Sequence, residues 1–207
     1  MSSDSSVVYH YLAIGKLGRG EVVKLFLTDA GIPFEEKRYP FDDTWKETSE
    51  KLKSQGITRT GQLPAVEYKG LVLNQAYLQH IPILRFLSRE LGKYDGQTSQ
   101  DKYLVDAMAD IYIEWRSGWA SNLSNASEDY KNKTVPKYYD LLEKYYSERE
   151  GPYLLGDEVS YADFAVYMSI DNDTRTKTIP SKIPDVLLKL KEAFENRPNI
   201  AEYIKQE

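Results

Sequence analysis

The run Val7-Val8-Tyr9-His10-Tyr11-Leu12 is rich in β-branched and aromatic residues, which predicts a strand. The period then changes. From Gly18 onward Val22, Phe26 and Ala30 recur at every fourth position with Val23 and Leu27 beside them, so one apolar helical face is expected up to Gly31. Ile32-Pro33 turns the chain, and residues 34–39 mix apolar and charged side chains as a second strand. A strand, a helix and a strand in succession predict a parallel βαβ unit with a right-handed crossover. Residues 40–60 are polar and charged and read as a loop and an irregular helix near 45–53. Residues 65–68 and 71–73 are strands joined by Lys69-Gly70, a connection short enough to force an antiparallel hairpin. A helix follows and stops at Leu91-Gly92.

That order predicts a four-stranded mixed sheet with helices on both faces, a thioredoxin-like unit over 7–91 preceded by a flexible stretch, 1–6. Residues 92–98 are polar and glycine-containing and read as a linker. Over 99–207 no convincing strand is found. Helical periodicity runs through 99–123, 135–149, 161–170 and 186–196, so the expected class is an α/β domain followed by an all-α domain. Ser160-Tyr161-Ala162-Asp163 has the form of a capping box. Ser160 would accept from the Asp163 N–H and Asp163 would reach back to the Ser160 N–H, with Val159 and Phe164 flanking as a staple. Its expected role is structural.

Composition narrows the chemistry. The net charge of −5 argues against a nucleic-acid binder, while leaving room for a local anion pocket. Cysteine is absent, so disulfides, thiolate metal sites and a cysteine nucleophile are excluded, and any sulfur chemistry needs a thiol from outside. His10 and His80 are the only histidines, too few for a histidine-rich metal site, and no metal is expected. No apolar run approaches the roughly 20 residues of a membrane span, and the start lacks a signal-peptide core, so a cytoplasmic chain without membrane association is expected.

One stretch organises the first half: Gly61-Gln62-Leu63-Pro64-Ala65-Val66-Glu67-Tyr68. Proline cannot sit inside a central ladder, so Pro64 belongs at the turn that opens the strand. A cis Leu63–Pro64 bond would make that turn sharp and aim the Leu63 N–H and C=O sideways, where an extended peptide can pair with them as another strand would. The alternative is an ordinary trans turn proline.

The order and spacing of several segments carry a resemblance. They are His10-Tyr11, Gly18-Arg19-Gly20-Glu21, Ala30-Gly31-Ile32-Pro33-Phe34-Glu35-Glu36, Gly61-Gln62-Leu63-Pro64-Ala65-Val66, Ile83-Leu84-Arg85-Phe86-Leu87 and Ser160-Tyr161-Ala162-Asp163. With them the chain resembles the cytosolic glutathione S-transferase family from the first strand onward, and is most similar to its tyrosine-type classes, alpha, mu and sigma. The resemblance implies a glutathione-binding first domain, a helical second domain for a small hydrophobic electrophile, and a homodimer. It also implies a detoxifying transferase that uses glutathione as co-substrate and needs no cofactor.

A thiol of pKa about 8.5 is only a few per cent ionised near about pH 7, and lowering its pKa by about two units takes nearly 3 kcal/mol. One hydrogen bond to a charged group supplies about 1.5–3 kcal/mol, so a hydroxyl donor and a nearby cation suffice. The resemblance makes Tyr11 the donor; the residues alone also allow a packed strand aromatic. The loop after Tyr11 is longer than the family pattern. Counting back from Gly18 without the insertion reaches Ala13, which has nothing to donate, and Tyr9, on the same strand face as Tyr11, is the alternative. Arg19 would steady the thiolate, or be a solvated first-turn arginine.

The resemblance also implies a glutathione subsite for each part of the tripeptide. Leu63 would hold the cysteinyl backbone, Pro64 would fix the turn and Gln62 would form a polar wall. Trp45 and Lys53 are candidates for the glycyl end, Lys53 as counter-ion. The γ-glutamyl carboxylate is expected at the start of the third helix, where the family's serine is missing and either Gln79-His80 or Gln75-Ala76 can stand. Starting at His80 places Pro82 in the first turn, where its missing N–H is harmless. Starting at Ala76 places it deeper, at about 3 kcal/mol. Gln79 and His80 are therefore preferred, with Gln75 open. Asp106 aligns with an aspartate that reaches the γ-glutamyl ammonium across the dimer, and also suits a solvated helix face. Tyr112, Trp115 and Trp119 are candidates for the electrophile site, lying between Tyr11 and the first long helix of the second domain, or for core. Competing readings are a fold relative that binds, regulates or builds without catalysis, and a glutathione-dependent isomerase.

Overall fold

A computed structural model of the chain describes residues 7–74 and 80–205. Two compact units divide between Leu87 and Ser88.

The first unit contains β1 (Val7–Leu12), α1 (Arg19–Asp29), β2 (Phe34–Tyr39), α2 (Trp45–Ser54), β3 (Ala65–Tyr68) and β4 (Leu71–Asn74), and α3 (Ile81–Leu91) runs through its end. The sheet order is β2-β1-β3-β4. β1 pairs parallel with β2, Val7 facing Phe34 through to Leu12 facing Tyr39, and antiparallel with β3. The β3–β4 hairpin turns at Lys69 (φ 47°) and Gly70 (φ 79°), the two positive φ values that a tight hairpin with right-handed strand twist requires. α3 starts with Ile81-Pro82, so the proline lies in the first turn as the sequence requires. The expected irregular helix is a regular α2, with Leu52 as its one buried side chain among the described residues.

β1 is central and nearly buried along its length. Tyr9 and Tyr11 share one face, and His10 points to the other. Buried His10 bridges three strands: Nδ1 lies 2.8 Å from the Tyr39 hydroxyl and Nε2 lies 2.9 Å from Glu67 Oε1. Burial holds its pKa below the ordinary histidine value, although the Glu67 bond opposes this. A neutral ring that donates through Nε2 and accepts at Nδ1 satisfies both partners.

The second unit contains α4 (Ser99–Ser121), α5 (Val135–Tyr146), α6 (Tyr161–Arg175), α7 (Asp185–Glu195) and the short α8 (Ala201–Lys205). A π-helical turn, Tyr130–Thr134, leads into α5. The box at Ser160 and Asp163 is present. Asp163 does more than cap. It is fully buried and accepts from the Ser160 N–H and hydroxyl (both 2.7 Å), the Leu154 N–H (2.9 Å) and the Tyr146 hydroxyl (2.8 Å). α6 extends past Ile170, where periodicity suggested its end. In its polar last turn Asn172 and Asp173 are buried while Thr174 and Arg175 are exposed: Asp173 accepts from Thr178 Oγ1 at 2.7 Å and from the Tyr139 hydroxyl at 3.3 Å, so partners outside the helix make its carboxyl compatible with the core.

Candidate functional site

The best-formed constellation in the first unit gathers where β1 meets α1. Tyr11 ends β1 with its ring flat on the first turn of α1. A Cβ added at Gly20 would lie 2.2–2.4 Å from three atoms of that ring, and one added at Gly18 would lie 2.8 Å from the hydroxyl. Glycine at 20 is therefore what lets a tyrosine seat there. The Tyr11 hydroxyl donates to the Leu17 carbonyl at 3.4 Å, a long bond. Tyr9 stacks beside it with ring centres 6.2 Å apart. Its hydroxyl is enclosed with no hydrogen-bond partner among the described residues, and burial pushes its pKa well up.

Between Gly18 and Gly20, Arg19 leaves in another direction. Its Nε donates to the Leu63 carbonyl at 2.9 Å. Leu63–Pro64 is cis, and both residues are buried. Arg19 and the turn before β3, distant in sequence, are thus brought together. The turn is tied down further. Gly61 N–H donates to Thr58 Oγ1 at 3.0 Å, and Ser49 of α2 donates from Oγ to the Gly61 carbonyl at 2.9 Å. Gln62 follows, half-buried. The Lys53 stem passes beside Gly61, and its ammonium pairs with both Glu50 oxygens at 3.0 Å. Half-buried Trp45 opens α2 and meets exposed Phe41 edge-on, with centres 5.8 Å apart. His80 is buried, and its carbonyl accepts from the Ile83 N–H at 3.0 Å. Gln75 and Gln79 lie outside the described residues.

Other candidates belong to the second unit. Asp106 accepts the Tyr161 hydroxyl. Tyr112, Trp115 and Trp119 are buried. Trp115 stacks on Tyr138 (5.7 Å) and meets Tyr139 edge-on (5.3 Å), while Trp119 Nε1 donates to Thr176 Oγ1 at 3.1 Å. The indoles that the sequence offers to a substrate pack within the helical unit.

Sequence reasoning gave no site role to Arg38 or Ser49, and named Glu21 only within the segment Gly18-Arg19-Gly20-Glu21; the structure ties Arg38 to Glu21 and Ser49 to the Gly61 carbonyl. The signal for Arg38 was faint: it is two residues beyond Glu36 on β2, and the parallel register sets it opposite Tyr11. Among the described residues no group of three or more His, Asp or Glu side chains is arranged to hold a metal ion, and no helix is long and apolar enough to cross a membrane.

A family model described as the glutathione S-transferase C-terminal domain matches residues 113–207. Glutathione S-transferase 1 of Ascaris suum is 30% identical over 204 residues, covering 90% of each chain. Glutathione S-transferase P 10 of Caenorhabditis elegans is 26% identical over 196 residues, covering 91% of this chain and 87% of that one. In fold, the chain is similar to the Pi-class glutathione S-transferase of Onchocerca volvulus, with a TM-score of 0.79 at 24% identity over 97% of this chain and 93% of that one.

Proposed function

Because the chain belongs to the glutathione S-transferase family, we propose that it ionises the glutathione thiol with the Tyr11 hydroxyl and adds the thiolate to hydrophobic electrophiles. One observation carries this reading: residues 18–20 seat the Tyr11 ring and hydroxyl and also send Arg19 to the Leu63 carbonyl. A phenol donor and a guanidinium therefore border one helix N-terminus, which itself carries partial positive charge. The long Tyr11–Leu17 bond is easily given up for a sulfur anion, since a charge-assisted bond is roughly twice as strong as a neutral one. The thiol proton leaves to solvent, the sulfur forms a bond to the electrophilic carbon, and that carbon's leaving group departs with its electron pair.

The tripeptide is held along the same unit. The Leu63 carbonyl has a second lone pair, so it accepts the cysteinyl N–H while keeping Arg19. Pro64 and Gln62 form the wall. Lys53 exchanges an exposed pair with Glu50, of a type that is worth about 0–1 kcal/mol, for the glycyl carboxylate beside Trp45. Backbone N–H groups at the start of α3, with Gln79 and His80, take the γ-glutamyl carboxylate, and Asp106 of a second copy takes the ammonium in a cytoplasmic homodimer.

Conjugation of glutathione to a generic aromatic halide tests this. Wild type should turn over, and Tyr11→Phe should lose about 10²-fold or more in kcat/KM, the scale of losing a positioned proton donor. Activity that survives Tyr11→Phe and falls with Tyr9→Phe moves the role to Tyr9. Tight glutathione binding without turnover on several electrophile types refutes the enzyme reading.

A further inference from the structure

Arg38, on β2, is wrapped around the segment that follows Tyr11. Its Nη1 donates to the Leu12 carbonyl at 2.9 Å and to the Gly15 carbonyl at 3.4 Å, so one guanidinium nitrogen gathers both ends of the first half of the β1–α1 loop. Nη2 reaches Glu21 in the first turn of α1 at 3.3 Å, and Nε reaches Glu36 at 2.5 Å. The Cζ atom lies 5.4 Å from the centre of the Tyr11 ring and 5.8 Å from that of Tyr9. Tyr11 thus packs against the backbone of Gly20 and lies within cation–π range of the Arg38 guanidinium. Glu21 is only 1% exposed, a carboxylate placed inside the unit where Arg38 meets it.

Lys24 also bonds Glu36, at 2.8 Å, so both carboxylates that meet Arg38 are ion-paired, and the contacts Arg38 makes beyond them are with loop backbone. Residues 13–18 join β1 to α1 without regular secondary structure, and a loop of that length has many shapes available to it unless it is tied down. We infer that Arg38 is a positioning residue for the Tyr11 hydroxyl: by fixing the Leu12 and Gly15 carbonyls and the first turn of α1, it holds the loop in one shape and aims the phenol at the thiol. The inference rests on the Tyr11 reading above. A lysine cannot do this, because a single ammonium cannot present donors in the fork that reaches two loop carbonyls and two carboxylates.

A double-mutant cycle tests it in the full-length chain, using the aromatic halide assay. Two variants loosen the loop: Arg38→Lys, which keeps the charge, and the pair Glu21→Gln with Arg38→Gln, which leaves no buried charge behind. Each is made in wild type and in Tyr11→Phe, with folding checked by circular dichroism and thermal melts. In the wild-type background kcat should fall about tenfold or more, the scale of a small misplacement of a reacting group, with KM for glutathione changed less than about twofold. In the Tyr11→Phe background the same changes should have almost no further effect on kcat, because the group they aim is gone. Equal losses in both backgrounds, or a folded variant with wild-type kcat, overturn the inference while leaving the tyrosine reading standing. A Tyr11→Phe variant as active as wild type overturns both. Should the paired variant not fold, Arg38→Lys alone completes the cycle.

Discussion

Gly20→Ala is the sharpest test of how Tyr11 is seated. Gly20 is the second residue of α1, and its backbone is in a conformation that alanine adopts without strain, so on propensity alone the change should stabilise the helix by up to about 1 kcal/mol. Packing opposes this. The new Cβ would stand 2.2 Å from Tyr11 Cδ2, 2.3 Å from Cγ and 2.4 Å from Cε2. Carbon atoms at rest are about 3.5–4.0 Å apart, so the ring and the helix must separate by more than about 1 Å. Tyr11 is only 2% exposed, with Tyr9 stacked 6.2 Å from it and the Arg38 Cζ 5.4 Å from its centre, so any shift of the ring disturbs packed neighbours. Overpacking of this kind costs about 1–3 kcal/mol, which leaves a net loss of about 0–2 kcal/mol. The effect on activity should be much larger, since about 1 Å of misplacement is worth about 10²-fold in rate. The assay pairs kcat/KM for halide conjugation with a urea titration. Gly31→Ala is the control. It is strained by its φ of +67° but touches nothing within 4 Å, so it should lose about 1 kcal/mol and keep its activity. A Gly20→Ala protein that is more stable than wild type and fully active would refute both the seating of the ring and its role.

Two further predictions concern the helical unit. Asp163→Ala should cost about 3–5 kcal/mol in urea unfolding, since four donors lose one buried acceptor, whereas an ordinary exposed cap is worth about 1 kcal/mol; a loss of that smaller size would show that the carboxylate is only a cap. Asp173 gives a pH signature. Burial pushes its carboxyl up to about 6, against the opposing Thr178 and Tyr139 hydroxyl bonds. Between about 3.9, the ordinary value, and the folded value, the folded state keeps a proton that the unfolded chain has lost, so stability falls as pH rises through that window, by up to about 3 kcal/mol. Asp173→Asn, neutral throughout, should flatten that part of the urea-midpoint profile; an unchanged profile would place the carboxyl's pKa at its ordinary value.

Much of the architecture was legible because it is encoded locally. β1, β2, the Lys69-Gly70 hairpin and the Ser160–Asp163 box each depend on residues within a few positions of one another, where side-chain period, positive φ and capping chemistry act directly. Pro82 chose the start of α3 for the same reason: its missing N–H constrains only its own turn. The sequence thereby determined two units of different class, the parallel βαβ core and a proline turn ahead of β3. Tertiary structure alone decided what surrounds each of those pieces. Arg38 reads as one charge among several on β2 until the register brings it over Tyr11 and its fork to Leu12, Gly15 and Glu21. Asp173 looks like a solvated helix end until Thr178 and Tyr139 enclose it, and Trp115 and Trp119 look available to a ligand until α5 and Thr176 cover them. A side chain's burial and charge environment are sums over partners far along the chain. Periodicity says which way a residue faces, and only the assembled fold says what it meets there.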